Sequence, residues 1–468
     1  MPVWKNSDRP VPALQHRNCC EFRLHRTGRQ RLLHLVLLER AHGDTADVLG
    51  EVAAAADTDA AADTTDPAAC DPAALWAKTF AKDGPDHLHA VVVGPAGSGF
   101  FAVGERQIAG AGDAWLLRTD TSGAVTWQAT VGKAGADIAR DAVASVAGYV
   151  VAGATTVPGT GSDLWVFQVD AAGKIVWETT HDAGGDEAAF GIAPMGAGGA
   201  HIVVGTAKGG GLATCFTAAG TLGWQQVFGP PEAYFQDVAT FGSAVTVVGA
   251  VPVGGGQTAA WVVRLDPFGT ETWVKKHVLG TTSLAANAVA VLGDGGLALS
   301  GSATAPGGVT QAWLARTDAG GELLWQSQLL AGDARSVAVT VGGLIVAGVA
   351  TTAGKAGGWL AHMALDGTQQ TGLVTPGAAI WRHGLPLANG GFLLAGSAVG
   401  KGLLGHTDAF GHTACATSGA CSTKTAASCA DGDPCTVDGC AEGKCQSSPS
   451  AAGSLCGTGT CGIGGVCK

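Results

Sequence analysis

The sequence predicts an all-β fold over residues 72–414, a seven-bladed β-propeller of four-stranded antiparallel blades, and three observations carry that expectation. Trp recurs at 76, 127, 177, 224, 273 and 325, a period of about 50 residues that suits one blade per repeat. An Asp-x-x-Gly turn recurs in step with it, and an apolar strand ending in Gly occurs seven times.

Bulk properties set the frame. Charged residues are only 14% of the 468, too few for a disordered chain, and 74 glycines are too many for a helical one. Many short strands joined by tight turns satisfy both limits. The formal charge of −11 argues against a nucleic-acid partner, because such binding needs clustered Lys and Arg. No run approaches the roughly 18 apolar residues of a membrane span, so none is expected.

Residues 1–43 form a basic N-terminal segment whose apolar run, Leu32 to Leu38, is interrupted by His34 and stops at Glu39-Arg40. It fits a degenerate export signal, a mis-called start or a short amphipathic helix. Residues 44–71 are an Ala/Asp/Thr tract that cannot bury a core and is expected to be a disordered linker. The tract resembles the linker behind the lipid anchor of bacterial surface lipoproteins and implies surface anchoring. The anchoring Cys is not where that resemblance needs it, since Cys19 and Cys20 precede the apolar run.

The repeat unit reads as four strands. A short run such as HAVVV, DAVAS or NAVAV comes first, then the strand closing on Gly104, Gly153, Gly205, Gly249, Gly301, Gly348 or Gly396. Third is a strand bearing the second Trp ladder, Trp115, Trp165, Trp261, Trp313 and Trp359. The turns Asp120-x-x-Gly123, Asp170-x-x-Gly173, Asp266-x-x-Gly269, Asp318-x-x-Gly321 and Asp408-x-x-Gly411 lead into the fourth, which carries the first ladder. Asp bonds the backbone ahead of it and Gly accepts positive φ, so this is a hairpin turn. Gly at the strand ends either lets neighbouring sheets approach or serves a turn. The strand at Trp76 has no inner partners before it, which places it on the outer edge of the last blade and closes the ring. An eight-bladed ring or an open array is the rival arrangement. Trp repeated at a fixed offset reads as packing between blades rather than as a platform for sugars or a flat cofactor.

Units such as WLLRTDTSGAVTW and WVFQVDAAGKIVW resemble the blades of bacterial secreted propellers and the tryptophan-docking repeats of quinoprotein dehydrogenases. The second resemblance would imply a quinone cofactor and, in alcohol-oxidising members, a vicinal disulfide beside it. The only vicinal pair, Cys19 and Cys20, lies outside the propeller, and no Cys-x-x-Cys-His is present. The His-Glu-x-x-His, Gly-x-Ser-x-Gly and phosphate-loop patterns are absent as well. No cofactor and no catalytic residue is therefore assigned.

One aligned column stands out. Immediately before the inner strands the seven units place His89, Asp141, Phe190, Gln236, Asn287, Arg335 and His383. Inner strands line a propeller's channel, so the six polar members, His89, Asp141, Gln236, Asn287, Arg335 and His383, form either a solvated rim or a ligand site at one channel mouth.

Residues 415–468 hold nine of the thirteen cysteines: Cys415, Cys421, Cys429, Cys435, Cys440, Cys445, Cys456, Cys461 and Cys467. The stretch CADGDPCTVDGCAEGKC resembles the CTDC-type cysteine-rich repeats of slime-mould extracellular proteins and bacterial surface proteins. The expectation is a disulfide-stapled module in an oxidising compartment. The spacing lacks the paired knuckles of zinc sites, and Asp431, Asp433 and Asp438 lack the ligands that complete a calcium loop, so no metal is assigned. The sequence thus describes a secreted or outer-surface propeller that binds or displays a protein or glycan. A propeller enzyme of quinoprotein-like or carbohydrate-active type, with its site at the channel mouth, is the alternative.

Overall fold

The computed structural model describes residues 75–408 and 413, apart from 82–84, 109–110, 134, 341–342, 353, 376–378 and 388–390, together with four short strands between 436 and 460. The basic segment and the linker expected over 1–71 lie outside the described residues.

The chain lays down its strands in order. β1 (Trp76–Phe80) precedes a first sheet of β2 (Asp86–Val93), β3 (Phe100–Ile108), β4 (Ala111–Thr119) and β5 (Val125–Val131). The second sheet holds β6 (Asp137–Ser145), β7 (Gly148–Val157), β8 (Gly161–Val169) and β9 (Ile175–His181). The third holds β10 (Ala188–Met195), β11 (Ala200–Ala207), β12 (Gly210–Phe216) and β13 (Leu222–Phe228). The fourth holds β14 (Tyr234–Phe241), β15 (Ala244–Gly254), β16 (Gln257–Leu265) and β17 (Glu271–His277). A seven-stranded sheet follows: β18 (Ser283–Val291), β19 (Leu297–Thr304), β20 (Thr310–Thr317), β21 (Leu323–Thr340), β22 (Gly343–Thr352), β23 (Lys355–Met363) and β24 (Gln369–Thr375). The last sheet runs β1, β27 (Lys401–Thr407), β26 (Phe392–Ala398), β25 (Ala379–Pro386).

The protein is a β-propeller with four-stranded blades, but the predicted count is corrected. Six sheets make the ring, not seven separate four-stranded ones. The cause is β21, an unbroken strand of 18 residues. Its first half pairs with β20 and its second half, from Gly332, pairs with β22, so two repeat units share one strand and become one sheet. Elsewhere a loop separates the outer strand of one unit from the inner strand of the next. Here the stretch LLAGDARS passes directly from one partner strand to the other at Gly332, whose φ is 137°, with no loop between.

The ring is closed. The innermost segments contact their neighbours in the cycle β2, β6, β10, β14, β18, second half of β21, β25 and back to β2. Trp76, on the β1 strand that pairs with β27, shares one core with Leu88, Trp115, Leu393 and Leu404, across the seam between the last and first sheets.

Both Trp ladders pack between sheets. Trp115, Trp165, Trp313 and Trp359 are fully buried on the third strands. Each sits in register with a repeat glycine: Gly104, Gly153, Gly301 and Gly348. The outer ladder does something the sequence did not reveal. Each of Trp76, Trp127, Trp177, Trp224, Trp273 and Trp325 lies flat against the turn glycine of the following unit: Gly123, Gly173, Gly220, Gly269, Gly321 and Gly367. Those glycines have φ between 75° and 92°, and a Cβ would collide with the indole at five of them and press tightly on it at Gly367. In four cases the indole N–H also donates to a carbonyl of that turn, at 2.9–3.2 Å from Trp76, Trp127, Trp224 and Trp325 to Thr121, Ala171, Pro267 and Leu365. The recurring Trp and the recurring turn are thus two halves of one joint between successive units. Thr217 and Ala364 start the same turn without an Asp, and residues 409–412 of the Asp408 turn lie outside the description.

The C-terminal module is described only as two hairpins, β28 (Thr436–Ala441) with β29 (Lys444–Pro449), and β30 (Leu455–Cys456) with β31 (Gly459–Thr460). Cys440 and Cys445 are register partners across the first. The side chains of all nine expected disulfide cysteines lie outside the described residues.

Candidate functional site

The innermost strands share one irregularity. Each skips a residue in its pairing with the second strand, and the skipped residues are His89, Arg140, Phe190, Gln236, Asn287, Arg335 and Arg382. This is a β-bulge repeated at one level of the channel wall. Opposite every bulge stands the glycine of the second strand. A Cβ at Gly104 or Gly153 would fall on the carbonyl oxygen of His87 or Ile138, and Gly205, Gly249, Gly301, Gly348 and Gly396 are placed the same way. These glycines neither end their strands nor admit a neighbouring sheet. They make room for the bulge within their own sheet.

The expected column is therefore real in part and displaced in part. His89, Gln236, Asn287 and Arg335 occupy the bulge, whereas Asp141 and His383 stand one residue beyond it, where Arg140 and Arg382 hold the equivalent places. All lie inside the inner strands rather than immediately before them, because pairing begins three to five residues earlier than the apolar runs suggest.

The two displaced residues join one sheet to the next. Asp141 Oδ2 accepts the Ile192 amide at 3.0 Å, and Asp237, at the same position of the fourth sheet, accepts Val289 at 2.9 Å. Ser336 bonds both polar groups of the Gly384 backbone at 3.1 Å. His383 Nδ1 accepts the Val91 amide at 3.3 Å and so bridges the closing seam. Enclosure raises the Asp141 carboxyl to about 7, helped by Asp237, and raises Asp237 to about 6. Burial lowers His383 to about 4, leaving Nδ1 free to accept.

The bulge residues themselves gather positive charge. Burial lowers the Arg140 pKa, with Glu105 opposing, and burial followed by Arg335 lowers that of Arg382, to which Arg140 contributes. The Arg140 guanidinium lies 5.6 Å from the centre of the Phe190 ring. Arg335 is paired with Asp333 at 2.8 Å. Asn287 Nδ2 donates to the Ala334 carbonyl at 2.9 Å and to Asp333 at 3.3 Å. His89 is held down to about 4 by burial and sits 3.7 Å from Glu105, whose own pKa it lowers. Arg140 and Arg382 form no hydrogen bond or ion pair among the described residues, and the Nε of each is buried. Guanidiniums with open donors are the groups that pair with anionic oxygens. The sequence reading passed over both, since each is followed by a second polar residue and only the bulge tells which one faces the channel.

No protein-family model matches the chain, and no curated protein matches it. Among solved structures, the chain is similar to Sqt1 from Chaetomium thermophilum at 13% identity and a TM-score of 0.44, over 70% of this chain and 83% of that one. It is similar to the Dos1 propeller at 11% identity and a TM-score of 0.45, over 68% and 77%. A protein of unknown function from Dyadobacter fermentans DSM 18053 matches at 11% identity and a TM-score of 0.44, over 71% and 97%. The propeller assignment rests on the strand pairing described above. No helix among the described residues is long and apolar enough to cross a membrane.

Proposed function

We propose that this protein is a non-catalytic binding scaffold of the cell exterior that takes a carboxylate-bearing protein or glycan into its channel. The observation that supports this reading is the pair Arg140 and Arg382, held on neighbouring inner strands to His89 with their donors unspent, in a chain of net charge −11. Bulges and the glycines behind them fix the backbone there, and a rigid scaffold is what a preorganised receptor needs. Export rests on the cysteine-rich C-terminus and its resemblance to extracellular repeats.

Full-length protein, kept oxidised, should be screened against uronic-acid glycans and acidic peptides, with neutral counterparts beside them. Acidic ligands should bind, more weakly as salt rises, and Arg140→Ala with Arg382→Ala should abolish binding while leaving the melting temperature within about 2 °C, as for partly solvated positions. Equal binding of neutral and acidic ligands, or parental affinity in the double variant, would refute the reading.

A further inference from the structure

Away from the channel, three carboxylates meet between the second and third sheets. Asp163 lies on β8 just after the turn at Thr160, Asp182 follows the end of β9, and Glu187 precedes β10. One oxygen from each lies within 4.8 Å of the others. Proximity alone would say little, because exposed acidic groups often cluster. Burial is what singles this group out: Glu187 is 1% exposed and Asp163 3%. Neither Glu187 carboxylate oxygen, nor Oδ1 of Asp163, has a hydrogen-bond partner.

The surroundings do not supply the missing charge. None of the ion pairs among the described residues involves the three. His181 turns its Nε2 to Gln225, and Lys208 lays its aliphatic stem over Gly185. Burial raises the Glu187 pKa, and Asp182 and Asp163 raise it further against the Ala183 amide and His181. The local backbone is nevertheless tightly fixed. Thr160 donates to Asp163 Oδ2 at 3.0 Å, Asp182 Oδ1 caps the Gly184 amide at 2.7 Å, and Asp186 accepts the Ser162 amide at 3.0 Å. Glu187 is itself clasped to Ser162, its N–H donating to the Ser162 carbonyl at 2.6 Å and its carbonyl accepting the Ser162 hydroxyl at 3.0 Å. A buried carboxylate with no partner, a second bonded at one oxygen only and a third beside them, held by a stiff frame, are unfavourable unless a cation joins them.

The geometry points to a binding site for a divalent cation of the calcium class, with Asp163, Asp182 and Glu187 as its carboxylate ligands. All three donors are hard oxygens, which select Ca²⁺ over softer metals. Ligand atoms spread over up to 4.8 Å match an ion with bonds of about 2.4 Å on opposite sides. An open depression of about 550 Å³ bordered by Thr160, Gly185, Asp186, Thr206, Ala207 and Lys208 adjoins the same loops. A bound ion would tie the second sheet to the third at their rim.

The test uses the full chain, stripped with EGTA and titrated with Ca²⁺ by calorimetry and thermal melting, with Mg²⁺ in parallel. Ca²⁺ should bind with release or uptake of heat and raise the melting temperature, and Mg²⁺ should do so more weakly. Glu187→Gln should lower Ca²⁺ affinity by at least about tenfold and, in EGTA, melt no lower than the parent because it removes an uncompensated buried charge. Asp182→Asn, at an exposed position, should lose affinity likewise and decides the matter if Glu187→Gln does not fold. A parent that neither binds Ca²⁺ nor gains stability would overturn the proposal. Undiminished binding in both variants would overturn it too, placing the ion elsewhere.

Discussion

Replacing Trp76 by Ala tests how the ring is closed. Trp76 is 7% exposed although it sits on an outer strand of only five residues. Its ring lies 6.0 Å from Phe100 of the first sheet and 6.0 Å from His406 of the last, covers Gly123, and donates to Thr121. Truncating a buried Trp costs about 3–5 kcal/mol in transfer and cavity terms, and the lost hydrogen bond about 1 kcal/mol more. A ring of about 330 residues unfolds with an entropy near 0.7 kcal/mol/K, so the melting temperature should fall by roughly 6–9 °C. The assay is a calorimetric melt of the full chain beside Val125→Ala, an exposed outer-strand control expected within about 0.5 kcal/mol of the parent. Trp76→Phe should fall between the two. If Trp76→Ala melts with the control, β1 does not clasp the seam and the closure argument fails.

Three further outcomes follow from other parts of the molecule. Gly153→Ala places a methyl on the Ile138 carbonyl and should cost about 3 kcal/mol or prevent folding, while Gly198→Ala, in open space, should leave the melt unchanged; equal behaviour of the two would undo the bulge argument. His383 binds its proton at about 4 when folded against 6.5 when free, so its stabilising contribution is complete above 6.5 and is lost as pH falls towards 4, by roughly 3 kcal/mol. The stability difference between the parent and His383→Gln should shrink over that window in urea titrations, the opposite trend of Asp141 and Asp237 cancelling in the comparison; a pH-independent difference would exclude His383 as the seam acceptor. The C-terminal cysteines, if paired, should show fewer than two free thiols by mass spectrometry of protein recovered from its native host, and mostly free thiols would refute both the staples and export.

Much of this architecture was open to reading from the amino acids because it repeats. Trp, turn and Gly-ended strand recur often enough that each blade confirms the next, and an orphan strand at Trp76 had a single sensible partner. The failures are local and physical. Residues 323–340 carry two units on one strand, because the change of partner at Gly332 (φ 137°) takes no loop, so the sheet count fell from seven to six. A bulge costs one residue of register without leaving a mark in composition, so Arg140-Asp141 and Arg382-His383 were each read one position late. The partnership of Trp127 with Gly173, or Trp224 with Gly269, spans more than 40 residues and appears only when consecutive units are set side by side. The Asp163, Asp182 and Glu187 group is split between one strand and one loop in no known spacing, so only burial exposes it.

The seam has a mechanical side. Trp76 opens β1 opposite His406, one residue before β27 ends, so the described chain enters and leaves the ring at the same edge. A load applied between these two points would not shear the five paired positions together. It would part them in sequence, from Trp76 with His406 towards Phe80 with Gly402, each giving way alone. Such unzipping needs far less force than sliding two strands along each other. If this molecule is tethered through one end and drawn by the other, β1 is its fuse: the ring would open there first and, with the remaining sheets still joined, could snap shut when the pull is released.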